Sequence, residues 1–400
     1  MSDRAPGYRV MVVFGTRPEA IKLCPVVLAL EASSLLEPIV VVTAQHRELL
    51  DQVLSVFGVV PDEDLDLLKP EQTLTEITTG VLAGLVGVLE RHRPDAMIVQ
   101  GDTTTAFAGA LAGFYAGVPV VHVEAGLRSG DASAPYPEEM NRRLVTQLTT
   151  LHLAPTARAR ANLLTEGVAA ERVLVTGNTV IDALQMVVRR GVSFSNPALV
   201  DLSADDGPVV LVTAHRRENW GAGMRSLAEA LRAITEAEPG TIIVFPIHPN
   251  PIVRNDVLPV VDGVANIRVV EPLGYGEFVR LLMAARLVLT DSGGLQEEGP
   301  SLGKPVLLMR DVTERPEAVT AGTVRLVGTD RDRIVEEVLR LLRDPHAFAA
   351  MANAANPFGD GRAVERTLAA LAHLLAGGPR PVEFSTAQVA VAGGPASTEA

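Results

Sequence analysis

Apolar residues along this chain gather in short unbroken runs: RVMVVFG, PIVVVTA, DAMIVQGD, VPVVHVEAG, LHLAPT and RVLVTGN, then PVVLVTAH, TIIVFPIH, NIRVVEP, RLVLTDSG, KPVLLMRD and TVRLVGT. A strand that is apolar without alternation is covered on both faces, the mark of a parallel sheet held between helix layers. Between the runs lie EAIKLCPVVLALEAS, HRELLDQVLSVFG and MRSLAEALRAITEAEPG, which carry helical periodicity and in several cases stop at glycine. The pattern predicts an α/β protein with two Rossmann-like, doubly wound domains.

Periodicity lapses over residues 189–208, RRGVSFSNPALVDLSADDGP, which divides the chain into a first domain over 1–190 and a second over 191–356. A helical run from about Arg331 to Met351 is followed by NPFGDG and a last amphipathic helix, ERTLAALAHLLAG. Residues 377–400, rich in Gly, Pro, Ala and Ser, are expected to be a disordered tail. Four hundred residues exceed what one hydrophobic core organises, in keeping with two domains.

Charge narrows the partners. With 35 basic against 48 acidic residues the net charge is -13, which argues against nucleic acid or an anionic membrane surface. The single cysteine, Cys24, excludes an internal disulfide framework and fits a reducing cytosol. RVMVVFG is too short for a signal segment or a membrane span, so the expectation is a soluble cytoplasmic protein.

Ligands of open parallel sheets bind beyond the carboxyl ends of the strands. The residues there are Arg17, Glu19 and Lys22 in GTRPEAIK, Asp102 in GDTTT, Glu124 and Arg128 in HVEAGLR, and Glu138, Asn141 and Arg142 in PYPEEMNRR. The second set adds His215 in AHRREN, His248 in HPNP, Asp291 to Gly294 and Glu298 in DSGGLQEE, and Arg315 in RDVTERPE. Each has a plain alternative: Arg17 and Lys22 as solvated charges, His215 as a partnered interior histidine, Asp102 as a helix cap, Glu138 as a helix-start acid. Those alternatives would have to hold independently at every strand end. Glu124 is the sharpest case, since a carboxylate closing a buried strand costs desolvation unless it is paired or used.

DSGGLQEE after a strand reads as an anion site with free backbone N–H groups. It is not a Walker A loop, because Pro305 follows Lys304 where Ser or Thr is required. No HExxH or CxxC occurs, and GTRPEA offers a single glycine, so neither a metal nor a dinucleotide cofactor is expected.

Together FGTRPEAIK, VTAQHRELLDQVL, GDTTT, HVEAGLRSGD, PYPEEMNRR, TAHRREN, LTDSGGLQEEGPSLGKPVLLMRDVTERPEAV, GTVRLVG and NPFGDG resemble the UDP-N-acetylglucosamine 2-epimerases, in the bacterial non-hydrolysing branch, from about Tyr8 to Leu375. The resemblance implies a GT-B-like pair of domains, a homodimer, and a C-terminal helix (about 357–376) that completes the first domain. It also implies epimerisation at C2 of UDP-N-acetylglucosamine through 2-acetamidoglucal, with no cofactor. Asp102, Glu124, Glu138 and His215 are the implied catalytic residues. Ser292, Gly293, Gly294, Arg17 and His215 would hold the diphosphate, Glu298 the ribose, and Phe278 with the backbone near Leu273 the uracil; Lys22, Arg142 and Arg315 would surround the sugar with the acids.

A second UDP-N-acetylglucosamine acting as activator is implied at Gln45, His46, Gln72 and His248. Glu48 and Glu71, however, stand where some regulated members carry Gln and Arg, and acids there disfavour a second diphosphate. Leu273 likewise replaces a Gln, leaving only its backbone to carry over. Rival readings are a hydrolysing epimerase, a 2-epimerase acting on a modified UDP-sugar, a GT-B glycosyltransferase and a non-catalytic nucleotide-sugar sensor.

Overall fold

The computed structural model describes residues 7–43, 47–67, 72–202 and 207–386. They divide into two compact units, one made of the chain up to Met186 together with the segment from Phe358 onward, the other running from Val187 to Pro357.

The first unit is built on seven parallel strands: β1 (Tyr8–Phe14), β2 (Leu36–Val42), β3 (Glu63–Asp64), β4 (Ala96–Gln100), β5 (Val120–Val123), β6 (Leu151–Ala154) and β7 (Val173–Val175). Their order is β3-β2-β1-β4-β5-β6-β7. Val10 to Phe14 and Met97 to Val99 are wholly buried, as unbroken apolarity requires of strands covered on both sides. Each such side chain contributes about 1.5–3 kcal/mol by leaving water. Cys24 is buried in the helix Arg17–Glu31, where burial pushes its thiol up to about 12.

The second unit has six parallel strands: β8 (Val209–Thr213), β9 (Ile242–Pro246), β10 (Ile267–Val270), β11 (Ala285–Thr290), β12 (Val306–Leu308) and β13 (Val324–Leu326), in the order β10-β9-β8-β11-β12-β13. Every apolar run in the sequence is thus a strand. Only the two-residue edge strand β3, made of acids, escaped the pattern.

Both sheets reverse their winding at one place, between β1 and β4 in the first and between β8 and β11 in the second. Loops leaving adjacent strands diverge there and open a crevice at the carboxyl edge. The GTRPE, GDTTT, AHRRE and DSGG segments are the loops in question.

Two expectations change. The helical run from Arg331 is two helices, Arg331–Arg343 and Pro345–Ala352, because Pro345 cannot continue the first and Asp344 caps the second. The tail expected to be disordered is held in place over 377–386, and its remainder, 387–400, lies outside the described residues: Phe384 is buried, its N–H donates to Val175 O at 2.7 Å, and Arg380 donates to Val173 O at 2.7 Å. The segment 377–386 therefore covers the exposed edge of β7, where Arg366 also lies over the Phe384 ring. Just before it, the helix Ala363–Ala376 packs on Arg17–Glu31, and Asp182 accepts the N–H groups of Ala363 and Val364 at that helix's start.

Candidate active site

In the first unit, Thr16 begins the helix Arg17–Glu31 with a capping box, and Thr103 caps the helix Thr104–Tyr115 by accepting from Ala106 N. Glu19 joins the two: its buried carboxylate accepts the N–H groups of Gly15 (3.1 Å) and Thr16 (2.8 Å) and the hydroxyl of Thr103 (2.7 Å). Burial raises its pKa against the pull of these donors. Thr16-x-x-Glu19 has the form of a capping box, but the bond of Glu19 to Thr103, which joins the two helices, has no local signature.

Asp102 therefore does not cap the helix; Thr103 does. The Asp102 carboxylate meets Arg142 at 2.7 Å, and its backbone oxygen accepts from Asn141 at 2.9 Å. Arg142 is buried and its second branch reaches Glu139 at 2.9 Å. Burial alone would lower the Arg142 pKa, but the two carboxylates outweigh it and the pKa is raised. Glu139, wholly buried, also accepts Ser129 N–H at 3.0 Å; burial works to raise its carboxyl, yet that N–H and Arg142 hold it below the usual range. Sequence reasoning gave Glu139 no role, and only the doubled acid of PYPEE hinted at one.

Glu124 leaves β5 in the left-handed region at φ 64°, a conformation a non-glycine residue holds only when its surroundings impose it. Its carboxylate accepts from Lys22, on the helix after β1, and from Gln100, the last residue of β4. Lys22 is thus no solvated charge. Arg128, adjacent in sequence, is engaged elsewhere, paired to Glu166 at 2.6 and 2.7 Å and to Thr146 at 2.9 Å. Glu138 is half-buried at the start of the helix Glu138–Leu148, and its side chain makes no hydrogen bond or ion pair among the described residues. Arg17, also half-buried, opens its helix.

In the second unit the carboxyl end of β11 holds the end of β8. Asp291, wholly buried, accepts the His215 ring at 2.9 Å, the N–H groups of His215 and Arg216 at 2.9 Å each, and Asn219 at 3.1 Å. Burial would raise the Asp291 pKa; His215 and the N–H donors lower it instead. Because Nδ1 of His215 faces a carboxylate, Nε2 of this 44% exposed ring is left for a ligand. The His248 ring stacks at 6.3 Å from His215, and burial with the neighbouring imidazole keeps its pKa low.

Ser292, Gly293 and Gly294 are half-buried, between β11 and the helix Leu295–Ser301. Arg315, buried, reaches Glu297 at 2.5 Å and Glu314 at 2.6 Å, and a side chain added to Gly293 would put its Cβ 2.8 Å from the guanidinium. Burial pulls the Glu314 carboxyl up, but Arg315 and Arg310 hold it down at about 2. Glu298 is buried and accepts the Tyr275 hydroxyl at 3.2 Å, which ties its helix to the helix Tyr275–Ala284 bearing half-buried Phe278; buried Leu273 precedes that helix. Tyr275 was not singled out from sequence.

Gln45 and His46 lie outside the described residues, as does Glu71. Gln72 donates its amide to Leu67 O at 2.7 Å. Among the described residues no group of three or more His, Cys, Asp or Glu gathers as metal ligands, and no helix is long and apolar enough to cross a membrane.

The UDP-N-acetylglucosamine 2-epimerase family model matches residues 28–372. The UDP-N-acetylglucosamine 2-epimerase of Escherichia coli K12 is 53% identical over 369 residues, 91% of this chain and 98% of the relative. Among solved structures, the Neisseria meningitidis UDP-GlcNAc 2-epimerase bound to UDP-GlcNAc superposes with a TM-score of 0.84 at 45% identity, covering 91% of this chain and 99% of that one. The Staphylococcus aureus MnaA–UDP structure gives 0.86 at 44% identity, covering 94% and 100%. These proteins share the α/β, GT-B-like fold class with this chain, and the chain belongs to the UDP-N-acetylglucosamine 2-epimerase family.

Proposed function

We propose that this chain interconverts UDP-N-acetylglucosamine and UDP-N-acetylmannosamine by eliminating UDP and adding it back. The observation that carries the reading is the set of three carboxylates, Asp102, Glu124 and Glu138, each placed at the carboxyl edge of one sheet or at the helix start beyond it.

The hydrogen on C2 sits beside no carbonyl, and a carboxylate with pKa near ~4 does not remove it directly. Cleavage of the C1–O bond first leaves its electron pair on the departing diphosphate oxygen. The oxocarbenium-like C1 then makes C2–H acidic, a carboxylate takes the proton, and the C1–C2 double bond of 2-acetamidoglucal forms. Reprotonation from the other face, with UDP oxygen bonding C1 again, completes the inversion. Carboxyl groups on both faces of one carbon are what the acid trio supplies.

His215, oriented by Asp291, the Ser292 hydroxyl and the N–H groups of Gly293 and Gly294 stabilise the charge that develops on UDP, with Arg17 adding fixed positive charge; the Ser292 N–H is itself held by Thr290 Oγ1 at 2.9 Å. Lys22 and Arg142 hold the acids in their ionised arrangement around the sugar, and Arg315 braces the Gly293 turn. Glu298 takes the ribose, and Phe278 with the Leu273 backbone borders the uracil. His248, stacked beside His215, is the residue of the second unit that an activating second nucleotide sugar would contact. A cytoplasmic location fits this reading and the single cysteine, Cys24.

Incubation in D2O with UDP-N-acetylglucosamine alone is expected to put deuterium at C2 of both epimers with UDP still attached. Rapid release of free sugar and UDP would move the protein to the hydrolysing reaction. No exchange without an acceptor would favour a transferase or a sensor, and exchange only on another UDP-sugar would change the substrate.

The functional unit we propose is a homodimer. A groove of about 870 Å³ runs between the helices Leu74–His92 and Thr104–Tyr115, lined by Leu82, Val86, Leu89, Tyr115 and Val118. Val86 and Tyr115 are 57% and 73% exposed, more apolar surface than a lone chain favours. Glu90 and Arg93 also line it, and because a two-fold contact is self-complementary each copy would bring both charges to it. Val86→Glu is expected to convert a species of twice 42.4 kDa into a monomer in sedimentation equilibrium; a monomeric wild type would remove the proposal.

A further inference from the structure

We propose that His122 is a positioning residue for proton transfer at C2, latching the turn that carries Asp102 onto the strand that ends in Glu124. The inference rests on the epimerase reading above.

His122 lies on β5, wholly buried, with Nε2 2.7 Å from the carbonyl oxygen of Gly101. Gly101 is the first residue after β4 and sits at φ 68°, where glycine alone is unstrained. Its N–H donates to Val123 O at 3.0 Å. Both polar groups of the residue before Asp102 are therefore held by β5. A bond in the opposite sense comes from Gln100, the last residue of β4, which donates to the Glu124 carboxylate. Gln100 and Val123 are register partners, so the two bonds cross between neighbouring strand ends. They fix one candidate acid relative to the other, and proton transfer is sensitive to displacements on the order of 1 Å.

The geometry also sets the protonation state. A carbonyl oxygen only accepts, so the hydrogen is on Nε2. Nδ1 is buried without a hydrogen-bond partner among the described residues, so a second proton would find no acceptor. Burial accordingly pushes the ring down to about 4, and His152, its register partner on β6, to about 3. A neutral ring of one tautomer is a fixed donor at working pH.

His122→Phe keeps the ring volume and removes the donor. C2 deuterium incorporation is expected to fall about 30-fold while UDP affinity stays within about twofold. His122→Gln, which again offers an N–H toward Gly101, is expected to recover most of the rate. Undiminished exchange in the Phe variant, or equal loss in both, would leave His122 as packing only. Independently of any variant, nitrogen-15 spectra of the wild type should show one histidine with a bare Nδ1 and a protonated Nε2 from about pH 6 to about 8; the other tautomer or an imidazolium would overturn the latch. If the wild type itself exchanges C2 on no UDP-sugar, the epimerase reading is what fails. If the wild type exchanges and His122→Phe matches it, only the latch fails.

Discussion

Glu124→Gln is expected to slow deuterium exchange at C2 by about 10²–10⁴-fold, the range of general acid–base contributions, while UDP binds within about threefold of wild type. The substitution is nearly isosteric and leaves the φ 64° backbone as it is. The carboxylate accepts from Lys22 and Gln100, and an amide oxygen in the same place still accepts from both. What the amide cannot do is take up or return a proton. Melting should fall only as far as the loss of the charge facing Lys22 requires, with UDP binding retained, and the main deficit should appear in kcat rather than in nucleotide affinity. Wild-type exchange in the variant would show that Glu124 only holds Lys22 and Gln100 in place. A large drop in melting temperature together with lost UDP binding would also return it to a structural role.

That Glu124 needed a reason was legible in the sequence, because an acid at the end of an unbroken apolar strand is anomalous on its face. Its partners were not. Lys22 is 102 positions away, and nothing in periodicity links the second turn of one helix to the end of a strand so distant. Arg128, close in sequence, pairs with Glu166 instead. The same division runs through the fold. Strands with both faces buried announce themselves, since every residue must be apolar, whereas β3 is two acids and its only mark is its pairing with β2. Glu19, Glu139 and Tyr275 act by joining segments that meet only after the sheets wind, so local pattern cannot assign them. The placement of 377–386 was masked by composition; one aromatic, Phe384, and two backbone-binding charges suffice to hold this segment on the edge of β7.

Arg315→Met is expected to lower the stability of the second unit by about 3–5 kcal/mol, the cost of breaking a buried ion pair by removing one partner. The guanidinium is buried between Glu297 at 2.5 Å and Glu314 at 2.6 Å. Without it Glu297, itself buried, loses the guanidinium at 2.5 Å, while Glu314 keeps Arg310 at 2.7 Å. Arg315→Lys should recover only part of the loss, because one ammonium does not reproduce a planar fork that meets two carboxylates. The acid limb of stability should change as well. The Glu314 carboxyl titrates near 4.5 when unperturbed and at about 2 in the fold, so between those values the unfolded chain binds more protons and stability falls as pH falls. Arg315→Met should flatten that fall, since Arg315 is the leading charge holding the folded value down. A residue devoted to the sugar would behave differently: its loss would raise KM and leave melting untouched. Combining Arg315→Met with Glu297→Gln separates the two roles, because neutralising the buried carboxylate that faced the guanidinium should restore part of the stability. It should not restore nucleotide binding if the guanidinium also braces the Gly293 turn against which it packs.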